Sequence, residues 1–388
     1  MEKVKLGDVS KLINGDRGKN YPSQADITET GEIPFVNAGH LNGREIDFSE
    51  MNYISQDKYD NLRSGKFQEG DILYCLRGSL GKKAIVSNDV NGAIASSLVI
   101  IRPDKEKVDG EYLMFALDSP AIKEQLVKAN NGSSQPNLSA SSVREYQVEL
   151  PNISVQKEVV EKLINVRNII DCRRKELQLL DSLIKARFVE MFGDPRSNPY
   201  GFSKKMLSDT CKVVTGNTPS RSVDEYYGDY VEWIKTDNIV SGLLNPTQAS
   251  ESLSEEGMKV GRTVEKDSIL MACIAGSIAS IGKVCVTDRR VAFNQQINAV
   301  VPKEYNILFL YVLLQLSKDY LVEEINMALK GILSKSKLEE KEFIVPPMEL
   351  QNQFADFVNQ IDKSKVAVQK ALDETKLLFD SLMQKYFG

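Results

Sequence analysis

Residues 1–152 carry short runs of apolar side chains that are separated by turn-forming residues. Apolar runs of this length between clusters of glycine, proline and asparagine predict strands. They cover residues 32–36, 70–75, 83–86, 97–101 and 146–150. Residues 110–128 instead place their apolar side chains near one face, which predicts a single helix. The segment therefore predicts a mixed domain with a mostly antiparallel sheet and a few helices.

Residues 193–347 repeat this pattern about 200 residues further along the chain, as a diverged tandem duplication does. Strand-like runs cover residues 268–273, 283–286, 297–301 and 343–345, and residues 307–328 predict a helix. Matching phrases support the duplication, among them Cys75-Leu76-Arg77-Gly78-Ser79 with Cys273-Ile274-Ala275-Gly276-Ser277, and Leu150-Pro151 with Val345-Pro346. The chain is therefore predicted to contain two similar mixed domains.

Each domain is followed by a long helical segment whose apolar positions step alternately by four and three residues. These positions are Val159, Leu163, Val166, Ile170, Arg173, Leu177, Leu180 and Ile184 in one segment, and Leu350, Phe354, Phe357, Ile361, Ser364, Val368, Ala371, Thr375, Leu378 and Leu382 in the other. Such a heptad seam requires a partner helix. Further apolar residues beside it, such as Ile169, Leu179 and Phe379, leave two interpretations open. The helices only close an intramolecular pair, or they also offer a surface to another protein.

These patterns predict an α+β fold with four segments: a first domain at 1–152, a central helix at 153–192, a second domain at 193–347 and a C-terminal helix at 348–388. The two helices are predicted to form an antiparallel coiled coil, and the duplication predicts pseudo-two-fold internal symmetry. Duplex DNA is a ligand that matches two heads related in this way.

Composition limits the function classes. The chain has 388 residues, with 49 Lys and Arg against 54 Asp and Glu, and a net charge of −5. A DNA-binding surface must then be a local basic groove, or one that a partner completes. No signal-like N-terminus and no apolar run of about 20 residues is present, so we expect a cytoplasmic protein without a membrane span.

The sequence lacks the motifs of the common catalytic centres. It has five cysteines without a C-x-x-C pair and a single histidine, His40, which disfavours a zinc site and a Ser-His-Asp triad. No glycine-rich cofactor loop and no Walker loop is found. We therefore expect a non-catalytic chain with no cofactor or metal of its own, buried reduced thiols, and His40 in a loop or on the surface.

The chain resembles the specificity (S) subunit of type I restriction–modification systems over essentially its whole length. The phrases that carry the resemblance are Leu150-Pro151 before Gln156, Val345-Pro346-Pro347 before Gln351, Phe188-Val189-Glu190-Met191-Phe192-Gly193-Asp194-Pro195, Tyr386-Phe387-Gly388, Gly70-Asp71-Ile72-Leu73 and Asn294-Gln295-Gln296. The first copy departs from the last of these, because it has Ala95-Ser96-Ser97 there.

The resemblance implies that each domain is a target-recognition domain that reads one half of a bipartite, asymmetric sequence in double-stranded DNA. It also implies that the helices act as a spacer and that methyltransferase (M) subunits dock on the chain. Restriction/translocase (R) subunits would then join the complex. S-adenosylmethionine, ATP and Mg²⁺ would be bound by these partners.

Helix length is compatible with a spacer. A helix of about 35 residues is about 50 Å long, which spans at most about 1.5 turns of duplex.

Arginine favours guanine, asparagine and glutamine favour adenine, and lysine, serine and threonine mostly contact phosphate. On this basis the candidate DNA-contact residues form loop clusters in both domains. In the first domain they are Arg17, Lys19, Asn20, Tyr21, Arg77, Lys82, Lys83, Asn131, Ser133, Ser134, Gln135 and Asn137. In the second they are Asn217, Thr218, Arg221, Lys235, Asn238, Lys330, Lys335 and Lys337.

One other function remains open at this point, a structural adaptor whose coiled coil assembles other proteins and whose domains bind peptides. A third interpretation, the recognition part of a single-chain restriction and methylation enzyme, would require catalytic domains that this sequence does not contain. DNA affinity that falls steeply with salt in the presence of a methyltransferase partner would separate DNA recognition from the adaptor function.

Overall fold

The computed structural model describes residues 2–87, 90–130, 136–323, 325 and 331–388. The chain divides into two compact units, which we call the first and the second unit. The first comprises Met1–Cys172 with Ala371–Gly388, and the second comprises Arg173–Lys370. Each unit therefore contains one mixed domain and a part of each long helix.

The first unit is built around two four-stranded sheets, which we call inner and outer. The inner sheet is antiparallel, in the spatial order Ser10–Asn14, Leu98–Pro103, Ile72–Cys75, Lys83–Ile85. The outer sheet has the order Tyr53–Ile54, Ile33–Val36, Gly92–Ile94, Lys66–Phe67, and its two central strands are parallel. Side chains of the inner sheet alternate, so that Ile72 and Tyr74 join one core while Leu73 and Cys75 join another.

The remaining elements of the first unit are short. Its paired strands are Glu2–Lys5 with Gln147–Leu150, and Leu41–Asn42 with Glu45–Ile46. Its short helices are Leu6–Val9, Gln24–Asp26, Ala38–His40, Gln56–Asn61, Gly110–Ala116, Pro120–Ala129 and Ala140–Arg144.

The second unit has the same plan. Its inner sheet has the order Cys211–Thr215, Ile297–Pro302, Ile269–Ala272, Val284–Val286, and all neighbours are antiparallel. Its outer sheet has the order Tyr227–Gly228, Ser252–Leu253, Val231–Ile234, Val291–Phe293, Thr263–Val264. Two further strand pairs are Lys204–Met206 with Glu342–Ile344, and Ile274–Ala275 with Gly331–Ile332. Its short helices are Leu207–Thr210, Asp224–Tyr226, Thr236–Asn238, Glu255–Val260, Ile278–Ser280, Ile307–Leu316, Lys318–Val322 and Lys335–Glu339.

The single helix predicted at 110–128 is wrong, because the structure breaks it into Gly110–Ala116 and Pro120–Ala129. Ser119 caps the second helix by accepting the backbone N–H of Ile122 at 3.2 Å, and proline occupies the first helical position. Proline there cannot continue a preceding helix. The helix predicted at 307–328 is likewise divided, with its break at Ser317.

The two long helices are Ile153–Phe192, the central helix, and Met348–Phe387, the C-terminal helix, with 40 residues each. In the first unit Arg167 lies over the Phe379 ring at 5.4 Å. In the second unit Lys365 Nζ is 2.7 Å from Asp181 Oδ1, and the rings of Phe188 and Phe354 lie 5.4 Å apart. In the second unit the helical segments therefore run antiparallel, since a later residue of one meets an earlier residue of the other.

The predicted seam is only partly buried. Val159, Leu163, Ile170 and Phe354 are buried, but Leu378 is 50% exposed. Leu372 and Met383 are buried instead in the C-terminal helix. An unsupercoiled helix drifts from a strict seven-residue repeat, so a seam extrapolated over 40 residues loses its register.

The cysteines are free, and four of them, Cys75, Cys211, Cys273 and Cys285, are buried as expected. Cys172 is the exception, since it is exposed on the central helix. Within the described ranges, no helix has both the length and the apolar character that a membrane crossing requires.

Candidate nucleic-acid interface

Three candidate residues from distant parts of the first domain line one cleft of about 580 Å³. They are Arg17, Arg77 and Asn137. We call this the Arg77 cleft, and its wall is formed by Leu12, Asn14, Arg17, Leu76, Arg77, Asn137, Leu138, Ser139, Ala140, Ser141, Arg144 and Glu145. Three loops that the sequence only suggested as separate clusters therefore meet at one place.

Backbone pairing brings the second and third loops together. Arg77 and Asn137 form an antiparallel bridge, and the backbone N–H of Leu138 donates to the carbonyl of Leu76 at 2.8 Å. Ser139 then accepts the N–H of Ser142 at 2.9 Å and begins the short helix Ala140–Arg144. Pairing with residues 137 and 138 thus holds the backbone at Arg77, while the Arg77 side chain remains exposed.

The early loop is held by a buried carboxylate. Asp16 is 7% exposed, and its oxygens accept the backbone N–H groups of Arg17 at 2.6 Å and Arg63 at 2.7 Å. Tyr21 packs edge-on against Phe35, and its hydroxyl accepts the N–H of Ser96 at 3.3 Å. Lys19 is exposed and Asn20 is half-buried. These contacts fix the loop backbone while leaving Arg17 and Lys19 on the surface.

Arg144 is a basic residue of the cleft that the sequence did not identify. It is exposed in the last turn of the short helix, and the stem of its side chain lies against Gly7. The wall then has three arginines against one acid, Glu145, which is itself paired with Lys5 at 2.7 Å. The cleft is therefore locally basic on an acidic chain.

Lys82 and Lys83, predicted beside Arg77, are engaged elsewhere. Lys82 Nζ donates to the carbonyl of Ala38 at 2.9 Å. Lys83 is buried and forms an ion pair with Asp118, and burial lowers the pKa of its ammonium. Neither lysine is part of the wall of the cleft, and the Lys83 ammonium is withdrawn from the surface.

The second unit brings two candidates together at another place. The outer sheet places Trp233 beside Tyr227, and Arg221 lies 4.5 Å from the Tyr227 ring and 5.1 Å from the Trp233 ring. Lys235 Nζ lies 5.2 Å from the Trp233 ring. Glu251, which the sequence did not single out, forms ion pairs with both cations. We call these five residues the Trp233 cluster.

Asn217 and Asn238 hold backbone in place. Asn217 Nδ2 donates to the carbonyl of Val260 at 2.9 Å, and its Oδ1 accepts the N–H of Arg262 at 2.7 Å. Asn238 Oδ1 accepts the N–H of Lys235 at 3.0 Å. Both amides are thus committed to loop structure. Thr218, by contrast, is exposed, and its hydroxyl bonds to the Gln295 side chain.

Lys335 and Lys337 lie on the short helix of the second unit that corresponds to Ala140–Arg144 beside the Arg77 cleft. Leu333 N–H donates to the carbonyl of Cys273 at 2.8 Å, and Ser334 caps the short helix Lys335–Glu339. Both lysines are exposed, and Lys335 pairs with Glu339 at 3.5 Å. Two basic side chains therefore stand on this helix.

Five candidates, Asn131, Ser133, Ser134, Gln135 and Lys330, lie outside the described residues. In the part of the chain that the structure describes, no group of three or more His, Cys, Asp or Glu residues is arranged to hold a metal ion.

Comparisons with known proteins agree with this architecture. The specificity subunit of the type I restriction enzyme HindI from Haemophilus influenzae is 22% identical over 387 residues, which cover 80% of this chain and 83% of that protein. The MjaIX specificity subunit from Methanocaldococcus jannaschii is 24% identical over 382 residues, with coverage of 92% and 86%.

Solved structures show the same fold. The S subunit of a type I restriction–modification system from M. genitalium has a TM-score of 0.61 at 15% identity, covering 100% of this chain and 96% of that one. A chain of a type I R-M system studied for complex assembly and conformational transition has a TM-score of 0.60 at 19% identity, with coverage of 100% and 97%. The predicted α+β class is thereby confirmed.

A family model described as type I restriction modification DNA specificity domain matches residues 1–181 and 199–375, once for each copy of the repeat. The chain therefore belongs to the type I restriction modification DNA specificity domain family and carries that DNA-recognition domain twice.

Proposed function

We propose that each unit reads one half of a bipartite, asymmetric sequence in double-stranded DNA, and that the two long helices set the number of unread base pairs between the halves. In this proposal the chain is a non-catalytic cytoplasmic subunit. Methyltransferase subunits dock on it and bring S-adenosylmethionine, while restriction/translocase subunits bring ATP and Mg²⁺. The chain itself then needs no cofactor.

The observation that carries the proposal is the Arg77 cleft. Arg17, Arg77 and Asn137 line it together with Arg144. Arginine donates two hydrogen bonds to guanine and asparagine pairs with adenine, so these side chains suit base edges in the major groove. A locally basic cleft also concentrates a polyanion on a chain whose net charge is −5.

Differences between the copies support two different half-sites. Ile274 replaces Arg77 at the matching position of the second unit, since Arg77 is bridged to Asn137 as Ile274 is paired with Ile332. The short helix Lys335–Glu339 bears lysines, whereas its counterpart Ala140–Arg144 bears serines and one arginine. Two identical heads would read a palindrome. Two heads with different donors at matching positions suit an asymmetric target.

The test is to purify the full chain with its methyltransferase subunits and measure duplex binding across salt concentrations. We expect the logarithm of affinity to fall linearly and steeply with the logarithm of salt, and a randomised duplex library to yield one bipartite motif. The same methyltransferase subunits without this chain are the control and should select no motif. An adaptor protein would assemble the complex without selecting any sequence, and that result would reject the proposal.

A further inference from the structure

We propose that Arg221 and Glu251 together read one G·C base pair in the half-site of the second unit. This inference rests on the proposed function. It adds to that function a specificity-determining residue, Glu251, and the chemical identity of one base pair.

The Trp233 cluster fixes the guanidinium of Arg221 before any ligand is bound. Its Nη2 atom is 2.6 Å from Glu251 Oε2, and its central carbon lies over two aromatic rings. Trp233 is only 3% exposed, so its ring packs against the guanidinium and is not a surface on which a base could stack. The Arg221 side chain remains 56% exposed, which leaves its other donors open to a ligand.

Glu251 is positioned as an ionised acceptor beside these donors. Lys235 donates to Oε1 of the same carboxylate, and this bond is the main cause that lowers the pKa of Glu251. A carboxylate oxygen has two lone-pair sites, so Oε1 retains capacity for a further donor beside Lys235, whereas Oε2 is buried against Arg221. Strand pairing holds the residue, since the backbone N–H of Trp233 donates to the Glu251 carbonyl at 3.0 Å.

A donor fork beside an acceptor matches the major-groove edge of a G·C pair. Guanine presents two acceptors, N7 and O6, and cytosine presents the N4 amino donor next to them. Arg221 would bond to guanine and Glu251 to cytosine. Phosphate fits less well, because the carboxylate would repel it and neutralises one of the two cations in the cluster.

At the positions that match Glu251 and Lys235, the first unit carries uncharged asparagines. The N–H of Phe35 donates to the carbonyl of Asn52 at 2.7 Å, which places Asn52 where the second unit has Glu251. Asn37 precedes the short helix Ala38–His40 as Lys235 precedes Thr236–Asn238. Glu251 and its partner Lys235 thus have no charged counterparts in the first unit. We therefore expect a substitution of Glu251 to affect the half-site of the second unit only.

The experiment compares the full chain, purified with its methyltransferase subunits, against the variants Glu251→Gln and Arg221→Lys in selection from a randomised duplex library. Glu251→Gln keeps the shape and removes the charge, and Arg221→Lys keeps the charge and removes the two-donor fork. Glu304→Gln is the matched control, since it breaks an exposed pair with Lys205 that lies outside the Trp233 cluster.

We expect the unmodified complex to require a G·C pair at one position of one half-site, and both variants to weaken that requirement about 5-fold to 150-fold. The other half-site and the control motif should not change. Loss of affinity that is equal for all sequences would indicate phosphate contact and overturn the inference, as would an unchanged motif. If the unmodified complex selects no motif, the proposed function itself fails and the inference with it.

Discussion

The side-chain Oε1 of Gln156 accepts a hydrogen bond from the backbone N–H of Asp109 at 2.8 Å. Its amide nitrogen donates to the carbonyls of Pro151 at 2.8 Å and Lys107 at 3.1 Å. Gln351 repeats the arrangement in the second unit, where it accepts from Asn306 at 2.9 Å and donates to Pro346 at 2.8 Å. Each fully buried glutamine thus fastens the start of a long helix to the domain before it.

Replacing Gln351 by alanine should destabilise the second unit by about 2–4 kcal/mol, because the partly buried N–H of Asn306 and the buried carbonyl of Pro346 lose their partners. Chemical denaturation of the full chain measures the change. Gln353→Ala, an exposed position two residues along the same helix, is the control and should alter stability little. Equal effects of the two substitutions would contradict this role of Gln351.

His40 should tolerate asparagine and should not tolerate leucine. Its Nδ1 accepts the N–H of Asn37 at 3.1 Å, which is the position that Asn238 Oδ1 fills in the second unit. His40→Asn should therefore keep the stability within a few tenths of a kcal/mol, whereas His40→Leu should cost about 1 kcal/mol. Denaturation of both variants at pH 7.5 tests this, and equal losses would reject the capping role.

The same histidine predicts a pH dependence. Burial is the main cause that lowers the pKa of His40 below its ordinary value of 6.5. The unfolded chain then binds the proton more readily, so the contribution of neutral His40 to stability is present above pH 6.5 and is lost as the pH falls through the lower folded-state pKa. His40→Asn should reduce the slope of unfolding free energy against pH in this window. An unchanged slope would show that other titrating groups cause the pH dependence.

Gly216 should not accept a side chain. A Cβ atom there would lie 2.1 Å from the backbone oxygen of Asn294, within a crossing where two segments of the second unit touch. Gly216→Ala should destabilise the chain by about 2 kcal/mol or more, as overpacking does. Gly276→Ala meets no atom within 4 Å and serves as the control in thermal unfolding. Comparable melting temperatures for the two variants would show that the backbone near Gly216 can shift at little cost and would contradict this prediction.

Arg77 and Arg144 should act on one half-site. Because both line the Arg77 cleft, alanine at either position should weaken binding by about 1–3 kcal/mol for the preferred sequence and relax bases in the same half of the motif. Library selection measures this, with the exposed Lys105→Ala as control. Relaxation of both halves, or of different halves by the two variants, would contradict a shared cleft.

Helix length should set the unread gap. Seven residues inserted between Cys172 and Arg173, with seven more between Lys370 and Ala371, lengthen each helix by about 10 Å. That corresponds to about 3 base pairs of duplex. Mapping of the selected motif should show a longer gap between two unchanged half-sites. A gap that ignores the insertions would refute the spacer role of the helices.

The sequence predicted elements that depend on local patterns. The apolar runs at 72–75 and 297–301 form buried strands because both faces of the inner sheet are covered. Ser119 followed by Pro120 is a helix-start signal, and it indicates the break that the structure shows. The apolar periodicity continues on both sides of this signal and therefore favours a single helix instead. The short strands of the outer sheets have only two to four residues and carry little periodic signal.

The candidate site was predictable only as a set of loops. Convergence of Arg17, Arg77 and Asn137 depends on long-range pairing that no local pattern encodes. Lys83 is predicted as a surface cation, yet it is buried and paired with Asp118, and no local pattern reveals a partner that lies 35 residues away in sequence. Asn217 looked like a base reader, whereas its amide bridges backbone groups 43 and 45 residues away. The sequence does not indicate Glu251 as a DNA-contact residue, because an acidic side chain repels phosphate. Its position beside Arg221 and Lys235 is visible only in the structure.

The division of the helices between the units has a consequence for synthesis on the ribosome. Phe387 is buried in the first unit, with its ring 5.0 Å from that of Tyr112, so the core of this unit includes residues that are translated more than 200 positions after Cys172. At 5–20 residues per second, the first domain waits roughly 10–40 s for its last helical turns. The second unit needs nothing beyond Lys370. The half of the chain that is translated first is therefore completed last.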